Sequence, residues 1–118
     1  MILADTSIWV DHFRSGNRKL DAFLRKAQVV IHPFVVGELA CGNLRKRAET
    51  LANLRKLPSL PVSSEDDVHY LLESRHLWGM GLGWVDMHLL TSALVSGHRL
   101  WTDDRALRSA AQLIEVAW

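Results

Sequence analysis

Short apolar runs alternate with longer amphipathic segments along the chain. Three of the runs are typical of buried strands, because they are short, largely apolar and bounded by polar or turn residues: Ile2–Ala4, Val29–Ile31 and Arg99–Thr102. Two weaker candidates are Leu57–Val62 and Leu113–Val116. The prolines in the first of these favour an edge strand or an extended connection. The pattern therefore predicts about five strands.

Between these runs, apolar residues recur at the spacing of one helix face. The predicted helices are Ser7–Phe13, Arg18–Ala27, a segment starting at Pro33, Arg47–Lys56, Glu65 to about Leu77, Val85–Val95 and Asp103–Gln112. Strands that alternate with helices predict a three-layer α/β/α fold with a mainly parallel central sheet. At 118 residues the chain is expected to form a single domain, residues 1–118.

Composition indicates where such a protein would work. Hydrophobic residues make up 48% of the chain and charged residues 23%, as in globular proteins that fold in water. The single cysteine, Cys41, excludes an intramolecular disulfide and fits a reducing compartment. The first residues lack the basic start of a signal peptide. The most apolar stretch, Val29–Gly42, is too short and too polar to span a bilayer. We therefore expect a cytoplasmic protein without a membrane partner.

Four acidic residues lie at or near predicted strand ends and helix starts: Asp5, Glu38, Asp86 and Asp104. Sites in parallel α/β sheets form beyond the carboxyl ends of the strands, and carboxylate oxygens suit hard divalent cations. The set therefore predicts a metal-dependent hydrolytic site. Helix capping is the structural alternative for Asp5 and for one of Asp103 and Asp104, and Asp86 could be a first-turn helix charge.

Glu38 has the weakest structural explanation of the four acids. It is flanked by Val36, Leu39 and Ala40, so we expect apolar, buried surroundings. An unpaired carboxylate is costly in such surroundings. A functional role would explain why an acid stands at this position.

Four motifs around these acids occur in the order and spacing of a known family. They are Asp5-Thr6-Ser7 followed by Ile8-Trp9, Gly37-Glu38-Leu39, Gly83-Trp84-Val85-Asp86, and Leu100-Trp101-Thr102-Asp103-Asp104. Together they resemble the PIN-domain ribonucleases, specifically the toxins of bacterial VapBC-type toxin–antitoxin pairs, over nearly the whole chain. The sequence departs from the family after the last motif, where Ala106-Leu107 stands in place of a bulky or aromatic residue. The aspartate doublet is matched through Thr102-x-Asp104, so Asp103 takes the variable position.

The resemblance implies a type II toxin that hydrolyses phosphodiester bonds in transfer or ribosomal RNA with Mg²⁺ or Mn²⁺ and a water nucleophile. The implied catalytic and metal-binding residues are Asp5, Glu38, Asp86 and Asp104, and the hydroxyl groups expected to hold them belong to Thr6, Ser7 and Thr102. A VapB-type antitoxin and a homodimer are also implied. The alternative is a catalytically degenerate PIN module with a binding or regulatory role, and the presence of all four acids argues against it.

Basic residues are clustered although the formal net charge is only +1. The residues expected to contact RNA phosphates are Arg14, Arg45, Lys46 and Arg47. Solvated helix faces are the simpler interpretation of any one of them. A second group near Arg14 contains Arg18, Lys19, Arg25 and Lys26. The six histidines lack metal-ligand spacing, so surface or packing roles are expected for them.

Overall fold

A parallel sheet of three strands lies at the centre of the fold in the computed structural model, which describes residues 1–118. The strands are β1 (Ile2–Ala4), β2 (Val29–Val30) and β3 (Arg99–Trp101), in the order β2-β1-β3. All three residues of β1 are buried. A central parallel strand is covered on both faces, and this explains why β1 is apolar throughout rather than alternating.

Two further segments extend the sheet by one isolated bridge each. On the β2 edge, Ile31 bridges Ser59, and the N–H of Leu60 donates to the Ile31 carbonyl at 2.8 Å. On the β3 edge, Leu100 bridges Ala117 in the same parallel sense. The predicted α/β class with a parallel sheet is confirmed, but three strands and two bridges replace the five strands expected.

The outer strands are short for different reasons. Pro58 and Pro61 flank the first bridge, and neither has an N–H to donate to a ladder. The predicted strand Leu113–Val116 was wrong, because Leu113 still belongs to the preceding helix and the bridge forms later, at Ala117. That helix buries Ala110 and Ala111 in the core. Apolar residues near the end of the chain thus continue a helical pattern.

Seven helices surround the sheet, and their bounds follow most of the predicted segments to within a few residues. They are α1 (Thr6–Ser15), α2 (Arg18–Arg25), α3 (Pro33–Ala40), α4 (Arg47–Arg55), α5 (Glu65–Ser74), α6 (Trp84–Ser96) and α7 (Arg105–Leu113). None of them is both long enough and apolar enough to cross a membrane.

Side-chain caps fix where several helices begin. The Leu20 N–H donates to Asn17 Oδ1 at 3.0 Å before α2, and the Asp67 N–H donates to Ser64 Oγ at 3.1 Å before α5. Gly97 ends α6 with φ of 71°, a left-handed conformation in which glycine has no steric penalty. Cap and turn residues therefore fix where these helices begin and end.

One hydrophobic cluster of 29 buried residues holds the sheet and helices together. Its fully buried members include Leu3 on β1, Leu90 on α6 and Leu107 on α7. The register pairs Ala4 with Trp101 on neighbouring parallel strands. Because parallel strands end at the same edge, the next residues along each strand, Asp5 and Thr102, lie side by side. The core thereby positions the first elements of a polar site.

Candidate active site

Asp5 lies at the centre of a hydrogen-bond network at the carboxyl end of β1. The Thr102 hydroxyl donates to Asp5 Oδ2 at 2.6 Å, joining two residues that are far apart in sequence. The Ser7 N–H donates to Asp5 Oδ1 at 2.9 Å, and the Ser7 hydroxyl donates to the same oxygen. Asp5 therefore also caps α1. Capping and participation in the site are compatible for this residue.

Burial is the main influence on Asp5 and raises its pKa above the usual value for an aspartate. Hydrogen bonds from the hydroxyls of Ser7 and Thr102, and from the backbone N–H groups of Ile8 and Ser7, act in the opposite direction. The carboxyl group is buried, with 6% of the residue exposed. Without these donors a buried carboxylate would be far more costly.

The two aspartates that follow β3 have different environments. The Asp104 N–H donates to Thr102 Oγ1 at 3.0 Å, and Asp104 Oδ2 accepts from the Leu107 N–H at 2.8 Å, so Asp104 caps α7. The Asp103 N–H donates to Ser7 Oγ at 3.1 Å. The Asp103 side chain instead lies 3.8 Å from Arg108 Nη2. Both backbones join the Asp5 network, but their carboxylates point to different partners.

Glu38 lies on α3 and is exposed, so the buried environment expected for it was wrong. Its neighbours Val36 and Leu39 are buried. Successive helical residues face different directions, so burial of sequence neighbours does not carry over to the residue between them. Glu38 Oε1 accepts a hydrogen bond of 2.7 Å from the Thr6 hydroxyl, which brings the start of α1 and the end of α3 together.

Asp86 lies in the first turn of α6, partly buried. Its Oδ2 accepts from the Gly83 N–H at 2.9 Å, which helps to fix the start of the helix. Burial is the main cause of a raised pKa for Asp86. The Gly83 hydrogen bond lowers the pKa, and the negative charges of Asp104 and Glu38 raise it further. Asp86 thus lies within electrostatic range of Glu38 on α3 and of Asp104 at the start of α7.

The fold therefore gathers the four predicted acids at one edge of the sheet. Thr102 links Asp5 to Asp104 through hydrogen bonds. The negative charges of Asp104 and Glu38 both raise the pKa of Asp86. No three acidic, histidine or cysteine side chains are close enough to enclose a metal ion as they are placed. The donor set nevertheless consists of carboxylate oxygens, the ligands that Mg²⁺ and Mn²⁺ prefer. The carboxylates of Glu38 and Asp104 repel that of Asp86, and a bound cation would offset this repulsion. The chemistry of the residues fits such an ion.

Two buried histidines support the helices that carry Glu38 and Asp86. His32 is fully buried and caps α3, with the Phe34 N–H donating to its Nδ1 at 3.0 Å. His88 on α6 packs against Phe34, with ring centroids 4.7 Å apart, and against Trp84 at 5.1 Å. Pro33 occupies the first helical position after this cap, where its missing N–H costs nothing. The packing of His32 towards His88 had no signal in the sequence.

The basic residues predicted to bind RNA are separate from this edge-of-sheet network. Arg14 lies near the end of α1, and Arg45, Lys46 and Arg47 lie at the turn into α4. All four are exposed, and none forms an ion pair. Thr6 and Ser7, by contrast, donate hydrogen bonds to Glu38 and Asp5.

Comparison with known proteins identifies the family to which the whole chain belongs. The PIN domain model matches residues 2–113. The chain is 45% identical over 118 residues to ribonuclease VapC32 of Mycobacterium tuberculosis, in strains CDC 1551 and H37Rv, covering 99% of this chain and 95% of that protein. The crystal structure of PAE2754 from Pyrobaculum aerophilum has a TM-score of 0.68 at 19% identity, covering 99% and 87% of the two chains, and supports the fold alone. The chain belongs to the PIN-domain family and, within it, to the VapC ribonucleases.

Proposed function

We propose that this protein is the toxin of a type II toxin–antitoxin system and acts as an endoribonuclease that depends on Mg²⁺ or Mn²⁺. The observation that carries the proposal is the gathering of Asp5, Glu38, Asp86 and Asp104 at the carboxyl edge of a parallel sheet. The relatives named ribonuclease VapC32 support the same reaction class. The four acids come from separate elements, and structural capping alone does not explain why they meet.

Asp5 and Asp86 are the proposed principal metal ligands, with Glu38 and Asp104 binding directly or through water. A bound divalent ion supplies positive charge for the phosphate oxygens and lowers the pKa of a nearby water. The chain itself keeps the ligands in place. Two hydroxyls hold the two oxygens of Asp5. Oδ1 accepts two hydrogen bonds, from the N–H and the hydroxyl of Ser7, whereas Oδ2 accepts one, from Thr102, and retains a lone pair for a ligand.

The remaining hydroxyl contacts have positioning roles in this proposal. Thr102 donates to Asp5 and accepts from the Asp104 backbone, so one side chain sets the spacing between two of the acids. Thr6 restrains the otherwise exposed Glu38. Outer contacts of this kind orient ligands and commonly affect metal affinity or activity by about 10- to 100-fold.

The proposed substrate is a transfer RNA or a ribosomal RNA, which places the protein in the cytoplasm. Exposed cations at Arg14, Arg45, Lys46 and Arg47 are available for phosphate contacts outside the acidic centre. An exposed acidic residue such as Glu38 favours a substrate that approaches from solvent rather than one enclosed in the core.

The proposed partners are a VapB-type antitoxin and a second copy of this chain. The name of the relatives supports the antitoxin. A basic side chain of the antitoxin placed among carboxylates that repel one another would inhibit the toxin by offsetting the same charge as the metal. Exposed apolar residues on α6, Leu94 at 39% and Val95 at 71%, support a protein contact on that helix.

The test is RNA cleavage by the purified protein against total transfer RNA and ribosomal RNA. We expect cleavage with Mg²⁺ or Mn²⁺, none in excess EDTA, and recovery when the ion is restored. Cleavage that continues unchanged in EDTA would remove the metal from the proposal. RNA binding without cleavage under every ion tested would instead support the degenerate module.

A further inference from the structure

A polar groove of about 690 Å³ shares residues with the acidic centre. Thr102 and Asp103, which belong to the Asp5 network, line it. The start of α2, Arg108 on α7 and Trp118 line it as well. Pockets of about 300–1,000 Å³ hold ligands the size of a nucleotide or a drug. We name this feature the α2–α7 groove.

Arg18 and Lys19 give the α2–α7 groove cations that have no acidic partner. The ion pairs of the protein are Arg25 with Asp21 and Arg108 with Asp103, so neither residue at the start of α2 is paired. Both occupy the first turn of that helix, where the macrodipole disfavours positive charge. Their position therefore does not stabilise the helix, and an anionic ligand gives them a role.

The carboxylates in the groove are already engaged. Asp11 accepts a hydrogen bond of 3.0 Å from Asn17 Nδ2, and Asp103 lies 3.8 Å from Arg108 Nη2. Arg108 also donates to the Thr102 carbonyl at 3.0 Å, which fixes its guanidinium near the acidic centre. Three cationic side chains and two carboxylates line the groove, so its lining side chains carry an excess of positive charge.

Trp118 provides an aromatic surface in the same groove. Its ring lies 4.6 Å from Trp101 and 5.4 Å from Phe23, measured between ring centroids, yet 45% of the residue is exposed. Lys19 Nζ lies 5.6 Å from the ring centroid. A packed, partly exposed aromatic ring beside cations that have no acidic partner suits single-stranded nucleic acid, with bases on the ring and phosphates on the cations.

We propose that the α2–α7 groove binds the single-stranded RNA segment next to the scissile phosphate. Arg18, Lys19 and Arg108 contact its phosphates, and Trp118 stacks on one of its bases. This inference rests on the proposed ribonuclease function and assigns the substrate path to residues other than Arg14 and the turn before α4. It also explains why the groove opens directly onto Thr102.

The first experiment measures binding, independently of cleavage. In a Glu38→Gln background with Mg²⁺, the affinity for a fluorescent single-stranded RNA of mixed sequence is compared for Arg18→Ala/Lys19→Ala and Arg25→Ala/Lys26→Ala. The control removes the same charge from the other end of the same helix. We expect the first pair to weaken binding about tenfold and to reduce the salt slope by about 1.4, the value for two phosphate contacts on a single strand. The control pair should change the affinity less than about twofold.

The second experiment measures cleavage in the unaltered background. Arg18→Ala/Lys19→Ala should raise KM with little change in kcat, because uniform binding is lost rather than chemistry. Equal effects of the two double variants on KM and salt slope would overturn the groove assignment while the ribonuclease function stood. Failure of the unaltered protein to cleave any RNA would count against the ribonuclease function itself. The binding experiment would still show whether the groove binds RNA.

Variants of Trp118 distinguish an RNA-binding groove from a protein-binding one. Trp118→Ala should weaken RNA binding about fivefold or more, and Trp118→Phe should recover most of the loss, because any aromatic face stacks on a base. If the variants of Arg18, Lys19 and Trp118 weaken binding of the antitoxin and leave RNA binding unchanged, the groove belongs to the antitoxin and the proposal is wrong.

Discussion

The two halves of the acidic edge are built differently. In the half formed by β1 and β3, both oxygens of Asp5 and the hydroxyls of Ser7 and Thr102 take part in one connected network. In the half formed by α3 and α6, each acid has a single hydrogen bond, from Thr6 to Glu38 and from Gly83 to Asp86. The first half is buried around Asp5, whereas Glu38 is exposed.

Buried polar atoms do not separate the two halves, because Trp9 Nε1 on α1, like His32 Nε2 and His88 Nδ1, has no hydrogen-bond partner within the chain. The difference lies in the acids themselves. Asp5 is buried and accepts three hydrogen bonds, whereas Glu38 is exposed and accepts one. We infer that the β1–β3 half fixes the geometry of the site and that the α3–α6 half adjusts when metal and RNA bind.

Replacing Asp5 should give the largest effect, because it removes a ligand and the centre of the network. Asp5→Ala should reduce cleavage about a thousandfold or more and lower the free energy of unfolding by about 2 kcal/mol through the lost cap and unpaired hydroxyls. Asp5→Asn is the matched control, since it should lose activity while keeping the fold. Growth arrest by a folded Asp5→Asn protein would mean that the metal site is misassigned.

Asp86→Asn should reduce cleavage as much as Asp5→Ala does, but it should not lower the free energy of unfolding. The raised pKa of Asp86 means that its ionised form is disfavoured in the fold, so the metal-free protein loses stability as pH rises from 3.8 through the folded pKa. The amide removes this penalty and keeps the acceptor for Gly83. We expect an unchanged or higher Tm without metal, and a smaller rise in Tm on adding Mg²⁺ than in the unaltered protein. A lowered Tm without metal would contradict the comparison between the halves.

Asp104→Asn and Asp103→Asn separate the two members of the doublet. Asparagine caps a helix about as well as aspartate, so the Tm of both variants should stay close to that of the unaltered protein. Asp104 lies within electrostatic range of Asp86, and its loss should reduce cleavage about 100-fold. Asp103 faces Arg108 instead, so its loss should matter much less. If the two variants lost the same cleavage activity in a kinetic assay, both carboxylates would belong to the acidic centre.

The β1–β3 half was the more predictable one. Asp5 and Thr102 follow short apolar strands, and parallel strands end at one edge, so their proximity follows from the order of elements. The hydroxyl roles of Ser7 and Thr102 came from the family resemblance and match the hydrogen bonds observed. The strand count was less predictable, because prolines and a longer α7 reduce the outer strands to single bridges.

The α3–α6 half was less predictable because it depends on how helices face each other. The neighbours of Glu38 in sequence are buried, but its own side chain lies on the open face of α3. Periodicity describes one helix at a time and does not say which residues of two helices meet. The approach of His32 to His88, with ring centroids 6.4 Å apart, is such a contact.

The threonines of the two halves allow a direct test on similar side chains. Thr102→Val leaves Asp5 Oδ2 and the Asp104 N–H without their buried partner, so it should cost about 1–3 kcal/mol of stability and about 10- to 100-fold in cleavage. Thr6→Val removes one hydrogen bond to an exposed acid and should cost about 0.5 kcal/mol or less. Chemical denaturation and initial rates measure both. Similar losses for the two variants would contradict a rigid β1–β3 half and an adjustable α3–α6 half.

The smallest effect at neutral pH concerns His32 beneath α3. Burial, chiefly, and the charge of His88 lower the pKa of His32 to about 4. A histidine with a lowered folded pKa stays neutral in the fold, so its contribution to stability is full above about 6.5 and declines as pH falls towards 4. At pH 5 this difference corresponds to about 2 kcal/mol. The raised pKa values of Asp5 and Asp86 act in the opposite direction at low pH.

His32→Asn isolates the contribution of His32 to the pH dependence of stability, because asparagine keeps an acceptor for the Phe34 N–H and does not titrate. The variant should be less stable at pH 7, since a smaller side chain leaves a cavity in the core. Its stability should nevertheless fall less between pH 6.5 and pH 5 than that of the unaltered protein, while His88 and His98, whose pKa values are also lowered, still titrate in both. Hydrogen exchange at pH 5 should show α3 opening before β1 in the unaltered protein. Equal protection of α3 and β1 at that pH would mean that both halves of the site open together, and the inferred division between a fixed half and an adjustable half would be wrong.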